Sequence, residues 1–271
     1  MSWCCLEQSI YQSIFSLYLR SFNESHRMNS LFLAWQAPTR AWFPVGRLNA
    51  DRARSHYVFQ YTNGALRAKK LVGFQALPAF PKLRARYEAS ELFPLFKNRV
   101  LDPNRRDFAD YLRSLDLDPQ NPDPIEILAI SGGARQTDSL EVFPKIEKSQ
   151  DNTFACRFFL HGLRHVSEAG QRRGLQLRAS ESLQVSLELN NPATGPAIQL
   201  TTSNYEFLGW APRYLVPDIL NAISTSRVVA AHVVRVNEVG VPLNRRILIE
   251  LSGSLPKGFK PMSGPDFQVI H

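Results

Sequence analysis

The stretch from Cys156 to Leu220 constrains the fold more than any other part of this chain. It breaks into short apolar runs, and no run is long enough for an extended helix. Phe158, Phe159 and Leu160 lead straight into Gly162, which ends or bends a strand. Leu183, Val185, Leu187 and Leu189 alternate with polar residues, the period-2 pattern of a half-buried strand. Asn190 to Pro196 has turn composition, and Ala197, Ile198 and Leu200 resume the sheet. Phe207 to Trp210 forms a last short strand, and Pro212 suits the first turn of a closing helix. These patterns predict a small β-barrel or sandwich with one helix.

Three motifs in this stretch carry a family resemblance. Gly162-Leu163-Arg164-His165, Asn190-Asn191-Pro192 leading to Ala197-Ile198, and Leu208-Gly209-Trp210-Ala211-Pro212-Arg213-Tyr214-Leu215 resemble the HIRAN domain over about residues 155–220, a quarter of the chain. The resemblance implies an oligonucleotide-binding-like (OB-like) β-barrel that engages the 3′ end of single-stranded DNA, in repair or replication processes. Arg164 stands where the family has a DNA-contacting arginine, His165 where an aromatic partner is common, and Arg213 at an often basic position. The family's central motif reads roughly Asn-Pro-Tyr-Asp-x-Asn-Ala. Here Ala193 replaces the base-stacking aromatic and Thr194 replaces the carboxylate that meets the terminal hydroxyl. Stacking contributes about 1–3 kcal/mol per base in single-strand binders, so this pocket is expected to bind less tightly. Trp210 has two readings, a core residue or a stacking platform.

A second set of runs precedes this stretch. Leu31–Trp35, Trp42–Gly46 and Tyr57–Tyr61 are strand-like, and Asn63-Gly64 is a turn signal. Phe108, Tyr111, Leu112 and Leu115 fall at i, i+3, i+4, i+7 on a helix face. Asp123-Pro124 starts another helix that Gly132-Gly133 stops, and Leu140–Pro144 returns to strand. Trp35, Pro44–Leu48, Tyr57–Tyr61, Leu95–Arg99, Asp123–Leu128 and Ser131–Gly133 resemble the N-terminal subdomain of HipA-type toxin kinases, over about residues 31–145. That subdomain caps the kinase and is not its catalytic core. No phosphate-gripping Gly-rich loop with a lysine and no catalytic-loop or metal-binding aspartate motif of the kinase pattern follows it.

The expected fold class is therefore α+β. Residues 1–27 form an extension, 28–149 a sheet-plus-helices unit, and 150–271 an OB-like barrel with a closing helix and a C-terminal hairpin (Val228–Val236 with Ile247–Leu251). Glu147–Thr153 reads as the linker, and the Pro/Gly-rich tail after Gly253 is expected on the surface. Two readings of the extension are open, an over-extended start before Met28 or a short amphipathic helix. It lacks the charged start and cleavage site of a signal peptide.

Net charge of +8 and an isoelectric point near 9.6 invite a nucleic-acid partner. Yet residues 151–220 are neutral, residues 28–126 carry +5 and residues 221–271 carry +3. Phosphate contacts supply most nonspecific affinity, so a nucleic-acid surface here must draw charge from neighbouring segments. Arg40, Arg47, Arg52, Arg54, Arg67, Lys69 and Lys70 form the densest basic zone, with Trp42, Tyr57 and Tyr61 interleaved. That mixture suits a single strand, with cations along the backbone and rings under bases, but it equally fits solvated charges on an ordinary sheet. Arg172-Arg173 beside Gly174 reads as a basic loop.

Other chemistry finds little footing. His161 and His165 have no third ligand at metal spacing, and no activated nucleophile or cofactor motif is present. Ser131–Arg135 reads as a helix stop rather than a phosphate cradle, and Cys156 as a small core residue. Three cysteines give no disulfide framework, which points to a cytoplasmic protein. The expected function is non-catalytic binding of single-stranded or 3′-end-containing DNA through Arg164, His165, Thr194, Trp210 and Arg213. Arg47, Arg52, Arg54, Arg67, Lys69 and Lys70 would form a secondary basic patch. The alternative is an interaction module that docks on a HipA-like kinase or a helicase.

Overall fold

The computed structural model describes residues 30–135, 137–193, 195–225 and 229–271. The 1–27 extension and Met28 lie outside the described residues, as does Thr194. The fold is α+β, with two antiparallel sheets. Among the described residues no helix is long and apolar enough to cross a membrane.

The first sheet has the order β4-β3-β2-β1-β5. Its strands are β1 (Ser30–Gln36), β2 (Trp42–Asp51), β3 (His56–Tyr61), β4 (Tyr87–Ala89) and β5 (Leu140–Pro144). Strand β1 is an unbroken apolar run because both of its faces are covered. Leu31 and Leu33 enter a core with Val45, Phe59 and Leu128. Phe32 and Ala34, pointing the other way, join a core shared with the second sheet. Helix α2 (Pro94–Lys97) adds Phe96 to the first core. Helix α3 (Phe108–Ser114) and helix α4 (Pro124–Ser131) fall where their periodicity and caps predict. Asp123 caps α4 by accepting from Ile125 N–H at 2.8 Å, Pro124 occupies its first turn, and Gly132 ends it with φ +73°.

Helix α1 (Asn63–Val72) overturns the reading of Asn63-Gly64 as a turn signal. The two residues instead begin the helix behind an extended Thr62, and Gly73 stops it with φ +73°. Gly64 is required by close approach, since a Cβ there would lie 2.1 Å from the Pro44 carbonyl oxygen.

The second sheet has the order β6-β11-β10-β7-β8-β9. It comprises β6 (Thr153–Phe159), β7 (Ser182–Asn191), β8 (Gly195–Thr201), β9 (Phe207–Trp210), β10 (Val229–Val236) and β11 (Ile247–Ser254). The C-terminal hairpin β10–β11 lies inside this sheet, between β6 and β7. The sheet does not close into a continuous barrel. Its two edges touch at one bridge, where His161 and Trp210 exchange backbone hydrogen bonds of 2.9 and 3.0 Å. Helix α6 (Val216–Thr225) lays Ile219 and Ala222 into the core beside Phe154, Leu200 and Val233.

Two further expectations change. Arg172 and Arg173 lie on helix α5 (Glu168–Leu175), not in a loop. Ser167 caps it by accepting from Gly170 N–H, but its glycines and low apolar content give no helical stripe. The tail is not a surface strap. Val269 bridges Thr62, Ile270 N–H donates to the Tyr61 carbonyl at 2.9 Å, and Leu255, Met262 and Ile270 are buried. Phe267 packs edge-on against Phe32, 4.9 Å between centroids. The tail thereby ties the second sheet back onto the first. A third apolar cluster joins Leu112, Leu115 and Ile127 to Phe159 and Leu248, so the two sheets also meet through α3 and α4.

Candidate functional site

The three motif segments converge on Trp210. Its backbone bridges His161, which immediately precedes Gly162-Leu163-Arg164-His165. Its indole Nε1 donates to Glu188 Oε2 at 2.6 Å, and Glu188 pairs with Ala197 across the β7–β8 hairpin. The next residue, Ala211, donates its N–H to the Ile198 carbonyl at 2.9 Å. Gly162 makes the crossing possible. It adopts φ +77°, and a Cβ there would sit 2.3 Å from the indole Cε3. Trp210 is half-buried, with Phe207 edge-on at 4.7 Å. It is thus neither a fully buried core residue nor an open platform.

The polar groups around this seam are set by it. Hydrogen bonds from Asn191 and Trp210 hold the Glu188 carboxyl below the usual carboxylate range. Arg164 and His165 form an exposed short 3-10 turn, where Arg164 Nε donates to His165 Nε2 at 3.0 Å. The Gly162 turn separates His161 from His165, so they do not share a strand face. Burial, aided by the Arg213 charge, pulls the His161 pKa down to about 4.

Arg213, in the 3-10 turn Arg213–Leu215, reaches the first unit. Its Nη1 donates to the Arg40 carbonyl at 3.3 Å. Burial lowers its pKa and the Glu141 charge opposes that shift. Glu141 on β5 is half-buried, and burial raises its carboxyl to about pKa 7 against the pull of Arg213. The neighbouring Tyr214 stacks on Phe143 with centroids 4.0 Å apart. Neither Arg164 nor Arg213 makes an ion pair among the described residues.

The arginines of the expected secondary basic patch are engaged within the fold. Arg47 is half-buried on β2, donating to Asn49 Oδ1 at 2.9 Å and Ser30 Oγ at 3.3 Å. Arg52 pairs with Asp123 at 2.8 Å, Arg54 with Asp51 at 3.7 Å, and Arg67 with Asp266 of the tail at 2.5 Å. Lys69 and Lys70 remain exposed on the last turn of α1. The interleaved rings are not open platforms either. Tyr61 is fully buried, donating to the Phe80 carbonyl at 2.8 Å and accepting from Leu77 N–H at 2.7 Å. Trp42 and Tyr57 pack against the two cores.

Sequence reasoning missed Glu188 and Glu141. The alternation of β7 puts Glu188 opposite its apolar positions, but nothing local links it to Trp210. Glu141 acts on Arg213 by charge alone, and only after tertiary packing has brought β5 to the second unit. Among the described residues no group of three or more His, Cys, Asp or Glu side chains is placed to hold a metal ion.

No family model matches the chain, and no curated protein matches it. Among solved structures, a protein from Lactobacillus plantarum, structural genomics target LpR91B, is similar at 17% identity and a TM-score of 0.30. The match covers 38% of this chain and 99% of that one.

Proposed function

We propose that the second unit is a HIRAN-like module with an OB-like barrel architecture, and that the chain is a non-catalytic nucleic-acid-binding protein. Its ligand is single-stranded or 3′-end-containing DNA. One observation carries the reading. The segments 162–165, 190–197 and 208–215, far apart in sequence, meet at Trp210, and the guanidinium groups of Arg164 and Arg213 have no carboxylate partner among the described residues. The meeting of both sheet edges at His161 and Trp210 supports the barrel reading. On this reading the first unit, HipA-N-like in its motifs, is a scaffold that braces the seam through Arg40 and Glu141.

Fluorescence anisotropy of short DNAs tests it. Single strands with a free 3′-hydroxyl bind more tightly than those with a 3′-phosphate or than duplex. Equal binding of all three removes end recognition, and no binding at low salt removes the DNA reading.

A second reading is a protein-interaction module docking on a HipA-like kinase. The outer half of β7 favours it, since Leu187 and Leu189 are 41% and 64% exposed. Pull-down with such a kinase, combined with absent DNA binding, would move this reading to the front.

A further inference from the structure

The β1–β2 turn brings an arginine of the first sheet to the seam. Ala37 N–H donates to the Ala41 carbonyl and Arg40 N–H to the Ala37 carbonyl, both at 2.8 Å. Arg40 occupies the tight turn with φ +66° and is exposed. Its carbonyl accepts from Gln36 Nε2 at 3.5 Å and from Arg213 Nη1 at 3.3 Å. The guanidinium of Arg213 therefore rests against the backbone of the residue that carries a second guanidinium.

Neither arginine makes an ion pair among the described residues. Glu141 is the carboxylate whose charge reaches Arg213, from beyond ion-pair distance. An arginine already paired to a carboxylate must give up that partner before it can bind a phosphate. Arg52, Arg54 and Arg67 are in that position, and Arg40 and Arg213 are not. The arrangement also answers the charge problem of residues 151–220, which are neutral and need cations from outside.

We infer that Arg40 and Arg213 form one phosphate-binding site spanning the two sheets, so that the first unit takes part in holding a single strand. The inference rests on the nucleic-acid reading above and extends it to a residue outside the resembling motifs. The ligand group is a backbone phosphodiester, because guanidinium groups that meet phosphate oxygens position a strand by its charge rather than by its sequence.

The test uses the full chain and fluorescein-labelled oligo(dT) over a series of NaCl concentrations. The variants are Arg40→Gln, which keeps length and polarity, and Arg40→Lys, which keeps the charge. Both leave the Arg40 carbonyl, and hence the Arg213 anchor, in place. Removing one cation that neutralises a phosphate of a single strand reduces the slope of log Kobs against log[salt] by about 0.7. The expected result is that reduction for Arg40→Gln and a slope close to the unsubstituted one for Arg40→Lys. If Arg40→Gln leaves slope and affinity unchanged while Arg164→Ala/Arg213→Ala reduces both, the site is confined to the second unit and the inference fails alone. If the unsubstituted protein does not bind oligo(dT) at low salt, the inference and the nucleic-acid reading fail together.

Discussion

The two sets of basic residues in this protein differ in what they face. The secondary set, Arg47 to Lys70, belongs to the unit with the larger net charge, yet its arginines are engaged internally. Arg52 holds the N-terminal turn of α4 through Asp123, and Arg67 holds the tail through Asp266. Around Trp210 the local charge is neutral, yet Arg40, Arg164 and Arg213 make no ion pair among the described residues. Net charge along a sequence therefore does not locate the charge that a polyanion can reach. What matters is which cations have already been neutralised by folding, and partners 71 to 199 residues away, as for Arg52–Asp123 and Arg67–Asp266, decide that.

Gly162→Ala places a Cβ against the Trp210 ring at a positive φ, and is expected to destabilise the protein by about 2–4 kcal/mol in chemical denaturation. A loss below about 0.5 kcal/mol would mean that the crossing at Trp210 is slack, and the convergence of the three segments would lose its meaning.

The paired set gives an intermediate effect of a different kind. Arg52→Ala leaves the Asp123 cap without its cation and is expected to cost roughly 1–2 kcal/mol of stability, with oligo(dT) affinity unchanged. A drop in affinity without loss of stability would place the nucleic acid on the first sheet instead.

An effect of similar size, but confined to the upper pH range, lies between the two sets. Glu141 has a pKa raised to about 7, against an ordinary value of 4.5. Below about pH 4.5 it is protonated in both folded and unfolded chains and costs nothing. Between about pH 4.5 and 7 the unfolded chain gives up this proton while the folded chain keeps it, so stability falls until, above 7, the folded state carries a half-buried carboxylate facing Arg213 and Tyr214. Glu141→Gln should therefore be more stable than the unsubstituted chain by about 1–2 kcal/mol at pH 8, with the gain vanishing near pH 4. A gain independent of pH would show that the carboxyl is solvated in the folded protein.

Much of the scaffold was legible because single residues carried it. The run Leu31–Trp35 has apolar side chains on both faces, and both faces prove to be buried. Asp123, Pro124 and Gly132 mark the start and stop of α4. Other elements were hidden because their signals are ambiguous or tertiary. Asn63-Gly64 is read as a turn by local propensity, but Gly64 is there to let a helix approach Pro44. The tail from Pro256 is Pro/Gly-rich, and its anchoring depends on Met262 N–H donating to the buried Asp218 carboxylate at 3.2 Å and on Ile270 reaching Tyr61. At the site, the candidates Arg164, Trp210 and Arg213 were visible in short motifs. Their shared neighbours were not, because Glu188, Glu141 and the Arg40 carbonyl reach them only after the chain has folded.

The salt dependence of oligo(dT) binding separates the two sets of cations, comparing Arg164→Ala/Arg213→Ala with Lys69→Ala/Lys70→Ala. The first pair is expected to lower the slope by about 1.4, the value for two phosphates of a single strand, while the second leaves it unchanged. The reverse pattern, with the slope carried by Lys69 and Lys70, would overturn the proposed site and move the binding surface to α1 of the first unit.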